Sequence, residues 1–389
     1  TRERGAPKAA TERADLIGLL LCCAFTAAWC RNLAAAPVFL ADTGVLPAWI
    51  DYFIHGGVIA QFGDPRAIDR GAILLADFPR PFYHYASYML PAAFAVPLDQ
   101  PGLPLATSVW LPIGFLSLAA AAYTLGASLA GAAGGVAVLA ALFVIPDASN
   151  YWLRNGFFSF HWNILTLPGS TYALGSALLA VVFLQRWAET QARTALAASA
   201  ALVAATFLFR AHVFLLLVPS WLAVVAIASP MVRRRWMLFF VGGALLAIAA
   251  ILAYQHLPNL PAEGGAWAFD EGQALERFLR QVHGRQDPTA YTGLYMNVLA
   301  QYGKAVGFAF GLLLVYPAAL GVFLLLFPVA LLLERARLQL RGIDAFPLAL
   351  LVLYAAHMAL VPVPSHHDAT DLAHRPFVLL YATLGIWTL

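Results

Sequence analysis

Long apolar runs recur along the chain and are separated by short polar or charged stretches. An α-helix needs about 20 apolar residues to cross the hydrocarbon core of a bilayer. The pattern therefore predicts an all-α, polytopic membrane protein with about ten transmembrane helices. The runs expected to form these helices are residues 16–34, 104–126, 129–146, 171–185, 194–209, 213–229, 237–254, 306–333, 346–363 and 377–389.

The composition supports the same fold class. Of the 389 residues, 61% are hydrophobic and only 11% are charged, and the mean hydropathy is +0.75. Soluble domains carry about 25% charged residues. The deficit of charge excludes an ordinary cytosolic enzyme, a disordered tail and a nucleic-acid-binding protein.

Arginine-rich stretches between the apolar runs predict the orientation of the helices, because short cytoplasmic loops are enriched in basic residues. These stretches are the tail 1–14, Arg186 with Arg193, Arg233–Arg235, and Arg335 with Arg337 and Arg341. An even number of spans must separate them, so residues 83–97 are assigned to a helix on the membrane surface rather than to a span. Residues 15–389 then form one transmembrane domain. Its external loops are 35–103, 147–170, 255–305 and 364–376.

The N-terminal end of the chain resembles a targeting segment, and the two ends together indicate a fragment. The basic tail ahead of the first apolar run predicts an uncleaved signal anchor. The chain begins at Thr1 rather than at a methionine, and it stops inside the apolar run 377–389. We therefore expect a C-terminal part to be missing.

The first external loop holds the strongest candidate for a catalytic acid. Residues 45–62 have apolar positions at helical intervals, followed by the stop Gly63-Asp64-Pro65, and predict a helix at the membrane interface. Asp51 and His55 are four residues apart and share one face of that helix. A carboxylate in apolar surroundings can serve as a general base, and the imidazole can orient it or contact phosphate. The alternative is a solvated pair on the wet face of the helix.

Three further residues of this loop are candidates for substrate binding. Asp42 is the nearest acid after the first span, although a charge at a helix end is also a common interfacial anchor. Arg80 and His84 lie beside prolines that would hold a rigid turn. Their donor groups suit a phosphate-bearing ligand, and the alternative for Arg80 is a lipid anchor.

Arg210 and His212 interrupt the apolar stretch 194–229. A charge that faces hydrocarbon costs about 2.5 to 3.5 kcal/mol on insertion scales. We therefore expect both side chains to face a polar cavity on the outer side. Snorkelling of Arg210 to the interface is the alternative.

The loop 364–376 concentrates groups that can bind ligands. Its polar members are His366, His367, Asp368, Asp371, His374 and Arg375. Imidazoles and carboxylates are good ligands for divalent metals, but the HExxH pattern is not present in the loop. A divalent metal therefore stays an open alternative, no cofactor is assigned, and the metal ligands are unknown. Arg375 is expected to bind an anionic ligand, because it opens the last span near the outer surface.

The architecture resembles the GT-C superfamily of integral-membrane glycosyltransferases. The resemblance lies in a first span followed by a long external loop with an acid on a surface helix, and then many spans with further external loops. The local strings that carry it are Ile50-Asp51-Tyr52-Phe53-Ile54-His55 and Tyr83-His84-Tyr85-Ala86-Ser87-Tyr88. The chain departs from the family pattern because a pair of acids does not directly follow its first span, which leaves the metal requirement open.

The resemblance implies a function in the bacterial plasma membrane. It implies transfer of a sugar from a polyprenyl-phosphate donor to an acceptor hydroxyl of a glycan or lipid, at the extracytoplasmic face and with inversion. Asp51 would be the base, with Asp42 as second choice. Arg210 and Arg375 would neutralise the donor phosphate, and His55, Arg80 and His84 would line the site. The alternatives are a transporter or flippase for lipid-linked glycans and a non-catalytic subunit of a membrane complex.

Overall fold

All regular secondary structure in the described part of the chain is helical. The computed structural model describes residues 8–64, 66, 85–148, 156–229, 273–285, 290–336, 342–361 and 373–389. Over these residues it contains helices and no strand, which confirms the predicted all-α class.

Sixteen α-helices are described. In chain order they are α1 (Lys8–Ala34), α2 (Ala36–Thr43), α3 (Asp51–Gly63), α4 (Ala86–Ala92), α5 (Ala95–Leu98), α6 (Gly102–Leu105), α7 (Leu111–Phe143), α8 (Phe160–Thr166), α9 (Gly169–Thr190), α10 (Arg193–Phe209), α11 (Ala211–Ala228), α12 (Gln273–Arg285), α13 (Ala290–Leu320), α14 (Phe323–Ala336), α15 (Ala345–Leu360) and α16 (Phe377–Trp387). A single π-helical turn, Ala106–Trp110, joins α6 to α7.

Several of these helices are suited to a membrane, but the predicted number of ten spans is not confirmed. Five are long and apolar enough to cross a bilayer: Ala14–Thr43, Gly102–Phe143, Ala211–Ala228, Thr292–Leu320 and Gly342–Leu360. A sixth is obtained if α8 and α9, which meet at an angle of 114°, count as one broken span. The predicted runs 194–209 and 377–389 correspond to α10 and α16, which have 17 and 11 residues. Both have fewer residues than a typical span of about 20, although the length of α10 is at the lower limit of the range of about 17 to 25. The predicted run 237–254 lies outside the described residues.

The longest of these helices, α7, is a hairpin rather than one straight rod. Its backbone leaves the helical conformation at Ala130 and at Gly131, where φ is +75°. A methyl group added to Gly126 would lie 2.6 Å from a side-chain carbon of Val138. Twelve residues of straight helix would separate these two positions by about 18 Å, so the chain must reverse between them. The reversal falls at the predicted boundary between the runs 104–126 and 129–146.

The core is built around α9, which is buried along most of its length between α7 and α10. Small residues allow this close packing. Gly114 of α7 faces Thr171, and Gly175 of α9 faces the backbone at Ser117. Small residues at helix contacts are typical of membrane proteins, where dispersion and close backbone approach replace the hydrophobic driving force.

The predicted surface helices are present, with different bounds. The helix expected over 45–62 begins only at Asp51, because Pro47 leaves the preceding segment without a backbone donor. It ends before Asp64, as predicted. The surface helix expected over 83–97 is two shorter helices, α4 and α5. Ile50, just before α3, and Phe53 within it have exposed apolar side chains, a feature shared by helices that lie at a membrane interface.

Candidate functional site

The candidate site is built on the bend between α8 and α9. Ser159 caps α8 by accepting a hydrogen bond from the backbone N–H of Trp162 (2.9 Å), and its hydroxyl donates to the buried carboxylate of Asp147 (2.6 Å). At the other end of α8, the hydroxyl of Tyr52 donates to the carbonyl of Leu165 (2.5 Å). The chain then turns at Pro168, and α9 begins at Gly169.

Arg210 lies against this helix start. It is the extended residue between α10 and α11 and is only 2% exposed. A methyl group on Gly169 would lie 2.8 Å from Arg210 Nε, so the guanidinium occupies the space that any larger residue would fill. The first turn of a helix carries partial positive charge, which an adjacent guanidinium reinforces. An anion at this point would be attracted by both.

His212 and Arg375 extend the basic cluster. His212 is the second residue of α11 and is 3% exposed. Arg210, Arg375 and His357 are all close enough to His212 for electrostatic interaction. Arg375 is half-buried and lies in the turn just before α16.

Three helix N-termini therefore come together, those of α9, α11 and α16. Arg210 joins the first to the second through its contact with Gly169, and Arg375 joins the third to the second through His212. These three helices also pack on one another. Backbone N–H groups at a helix N-terminus, together with Arg side chains, bind phosphate and other anions.

His55 reaches the same cluster from α3. Its ring is 6% exposed and shares a hydrogen bond of 2.9 Å between Nδ1 and the hydroxyl of Tyr88. The ring packs edge-on against Trp110, with 4.8 Å between centroids. Burial, followed by the charge of Arg210, lowers the pKa of His55 to about 3, although the Thr166 carbonyl opposes the shift. His55 is therefore a neutral hydrogen-bonding group at physiological pH rather than a third cation.

Asp51 lies at the margin of the site. It is half-exposed at the first position of α3, one helical turn before His55 and beside the buried face of the helix. Its carboxylate accepts a hydrogen bond from Trp49 Nε1 (3.0 Å), and the Trp49 ring packs edge-on against Trp162. The carboxylate of Asp51 is thus held by Trp49, one helical turn from the buried ring of His55, while it remains open to solvent.

The cluster unites some of the predicted residues and not others. His55, Arg210, His212 and Arg375 belong to it, as the preceding contacts show. Asp42 is exposed in the last turn of α2, and none of its contacts within the described residues joins it to the cluster. Arg80 and His84 lie outside the described residues.

The predicted metal alternative receives no support from the residues that the structure describes. Among them, no three His, Cys, Asp or Glu side chains come together as a metal site would require. Within the loop 364–376, residues 364–372 lie outside the described part. His374 is fully buried between the rings of Phe278 and Phe377, at centroid distances of 4.1 and 4.5 Å. Both of its ring nitrogens are hydrogen-bonded, Nδ1 with Tyr354 and Nε2 with the Phe157 carbonyl.

Sequence reasoning missed Gly169, Tyr88 and Trp110. Gly169 matters through a contact across 41 positions of the chain, which no local pattern carries. Tyr88 was noted only as part of the string Tyr83–Tyr88, and Trp110 was not singled out. One signal in the sequence was available. Thr107 and Ser108 are polar residues in an apolar run that follows Pro104, and they lie within the π-helical turn.

Comparison of the chain with protein-family models, curated proteins and solved structures finds no match. Function is therefore argued from the chemistry of the side chains. That chemistry combines a buried basic cluster, neutral imidazoles and one half-exposed carboxylate, a combination suited to holding a phosphate group next to a general base.

Proposed function

We propose that this protein is an integral-membrane glycosyltransferase of GT-C type that takes its sugar from a polyprenyl-phosphate donor. The observation that carries the proposal is the burial of Arg210 against Gly169, where α9 starts, with His212 and Arg375 beside it. Guanidinium groups and the backbone N–H groups of helix N-termini are the groups with which proteins bind phosphate, so a phosphate headgroup is the ligand that fits this cluster.

The proposed reaction uses the half-exposed Asp51 as well as the buried basic groups. Arg210 and Arg375 would hold the donor phosphate, and Asp51 would accept the proton of the acceptor hydroxyl. The acceptor oxygen forms a bond to the anomeric carbon while the bond from that carbon to the phosphate oxygen breaks. Attack opposite the leaving group inverts the anomeric centre. The phosphate leaves as an anion and needs little protonation, so one base suffices.

We further propose that the cluster faces the extracytoplasmic side of a bacterial plasma membrane, in a chain with about ten spans. Support comes from the α9–α10 hairpin. Arg186 and Arg193 lie at one end of this hairpin, and Gly169 and Arg210 lie at the other. The 17 residues of α10 separate the two ends by about 25 Å. If the arginine pair is cytoplasmic, as the positive-inside rule predicts, the cluster is near the opposite interface.

Sugar transfer in reconstituted bilayers tests this proposal. The purified protein would be supplied with polyprenyl-phosphate hexoses and with lipid and glycan acceptors. We expect Asp51→Asn to lower kcat by about 100-fold or more, since general-base catalysis contributes that much. Arg210→Gln should weaken donor binding. Asp42→Asn is the matched control, an exposed acid outside the cluster, and should retain activity.

Each variant can also contradict the proposal. Wild-type transfer by Asp51→Asn would remove this residue as the base, and loss of transfer in Asp42→Asn alone would move the base to Asp42. If no donor is turned over but labelled lipid crosses the bilayer, the protein is a transporter instead. The same vesicles report both outcomes when donor is supplied on one side only.

A further inference from the structure

The rings around His55 carry donor groups that the proposed reaction does not use. Trp110 is fully buried, and its indole Nε1–H has no hydrogen-bond partner among the described residues. The Nε2 atom of His55 is also buried without a hydrogen-bond partner among the described residues. The two rings are in edge contact, with centroids 4.8 Å apart. Native proteins rarely leave buried donors unsatisfied, and each such group calls for a ligand, a water or a functional reason.

Trp110 is held firmly in its position. Its ring packs on Tyr88 with 4.6 Å between centroids, and its carbonyl accepts a hydrogen bond from the hydroxyl of Tyr172 (2.9 Å). It closes the π-helical turn Ala106–Trp110. π-Helical turns inside α-helices are frequent at functional sites. The indole N–H is therefore fixed by packing rather than free to rotate toward another partner.

Tyr88 sets the chemical character of His55. Its hydroxyl lies 2.9 Å from His55 Nδ1. When the Tyr88 hydroxyl donates to Nδ1, the proton of the neutral His55 ring is on Nε2. In this tautomer the Nε2–H of His55 and the Nε1–H of Trp110 both lack a hydrogen-bond partner among the described residues, and their rings meet edge to edge.

We propose that Trp110 Nε1 and His55 Nε2, with His55 oriented by Tyr88, form a subsite that donates two hydrogen bonds to a phosphate oxygen of the ligand. Both groups are donors, and the neighbouring Arg210 guanidinium also only donates. A site of this kind selects a group that accepts without donating, as a phosphate ester does, and disfavours a hydroxyl. This inference rests on the proposed function, because it adds two residues to the same phosphate site.

Indole N–H resonances test the subsite directly. Protein labelled with ¹⁵N-tryptophan in lipid nanodiscs would be titrated with inorganic phosphate and, separately, with a short-chain polyprenyl phosphate. The Trp110 resonance is assigned by its loss in Trp110→Phe. It should shift on addition of ligand, whereas the Trp221 resonance should not, because Trp221 Nε1 already donates to Ser199 Oγ (2.8 Å). A response to inorganic phosphate identifies a site for free phosphate, and a response to the lipid alone identifies a lipid headgroup.

Binding constants complete the test. Trp110→Phe keeps an aromatic side chain, although a smaller one, and removes the indole N–H, whereas Tyr88→Phe keeps the ring and removes the hydroxyl. Each should weaken polyprenyl-phosphate binding by about tenfold. Trp221→Phe is the matched control and should bind as the wild type does. If Trp110→Phe matches this control and the Trp110 resonance does not move, the subsite does not exist and a trapped water accounts for the indole. Loss of binding in Arg210→Gln under those conditions would leave the proposed function standing, whereas unchanged binding in Arg210→Gln would overturn the proposed function itself.

Discussion

At the scale of single residues, the contact between Arg210 and Gly169 organises the site. A charged side chain is placed where a helix begins, and the absence of a β-carbon at Gly169 is what lets it approach. The arrangement gathers positive potential at one buried point. It follows that the size of residue 169 controls the geometry of the proposed phosphate site.

The first prediction concerns that glycine. In Gly169→Ala the new methyl group would lie 2.8 Å from Arg210 Nε and would displace the guanidinium. We expect polyprenyl-phosphate binding to fall by at least tenfold and the free energy of unfolding to fall by about 1 to 3 kcal/mol, the usual cost of overpacking. Gly293→Ala is the control, since a methyl group there meets open space. Binding by Gly169→Ala as tight as by this control would show that Arg210 does not hold the ligand.

The second prediction concerns pH. Burial lowers the pKa of His374 to about 3. Burial, followed by the charge of Arg210, lowers the pKa of His55 to about 3 as well. In the unfolded chain both titrate near a pKa of about 6.5. As the pH falls from 6.5 toward 3, the unfolded chain therefore takes up protons that the folded protein does not. The free energy of unfolding should decrease over this window by up to about 1.4 kcal/mol per pH unit for each ring.

Thermal unfolding measured in detergent between pH 7.5 and 5 checks this expectation. Between pH 7.5 and pH 5, the melting temperature of the wild type should decrease by more than the melting temperature of the double variant His55→Gln/His374→Gln. Equal losses would mean that these rings do not stay neutral in the folded protein.

The residue scale also shows what sequence reasoning can reach. Arg210 and His212 were identifiable because two polar residues inside an apolar stretch must be compensated by their surroundings. Gly169 and Trp110 were not identifiable, since their roles come from contacts between distant segments. Asp51 was chosen for its place on a surface helix, and its hydrogen bond with Trp49 could not be foreseen from helical spacing.

At the scale of elements, the chain reverses its direction within α7 and within α13, and these reversals shape the packing of the helix bundle. Each reversal is made by a glycine with positive φ, Gly131 at +75° and Gly303 at +79°, with open space around the site of a β-carbon. Apolar length alone could predict that helices exist over these segments. It could not predict where α10 ends or where α16 begins, because these bounds are fixed by the extended residue Arg210 and by the turn at Pro376.

The third prediction follows from these turns. Gly131→Ala and Gly303→Ala should each cost about 1 to 2 kcal/mol of stability, because a side chain disfavours the left-handed conformation. Gly293→Ala lies in a helical stretch of α13 and should be neutral or slightly stabilising. Chemical unfolding in detergent gives the comparison. If all three variants unfold alike, the hairpin turns at positions 131 and 303 are wrong.

The ring of His374 attaches α12 to the helix bundle. Its ring stacks on Phe278 of α12 and on Phe377 of α16, and it neighbours Arg375 in sequence. The buried face of α12 is formed by Ala274, Leu275, Phe278, Leu279 and Val282. The helix thereby covers the segment that carries Arg375, one of the two arginines proposed to bind phosphate.

At the scale of the whole molecule, the account depends on sidedness. The proposed phosphate site and the basic pair Arg186 and Arg193 lie at opposite ends of the α9–α10 hairpin. The fourth prediction uses single cysteines in a chain whose three cysteines, Cys22, Cys23 and Cys30, are replaced. Exposed Asp42→Cys should react with a membrane-impermeant maleimide in intact cells, and exposed Gln191→Cys should react only after permeabilisation. The reverse result would place the basic cluster on the cytoplasmic side.

The central claim is that the buried cluster around Arg210 binds the phosphate of a polyprenyl-phosphate lipid. Native mass spectrometry of the protein released from its own membranes tests this claim most directly, with Arg210→Gln and Asp42→Asn prepared in parallel. The account predicts a bound lipid with the mass of a polyprenyl phosphate or its sugar-bearing form in the wild type and in Asp42→Asn, and its loss from Arg210→Gln. A wild-type protein free of such a lipid even after incubation with it, or equal retention by Arg210→Gln, would contradict the account.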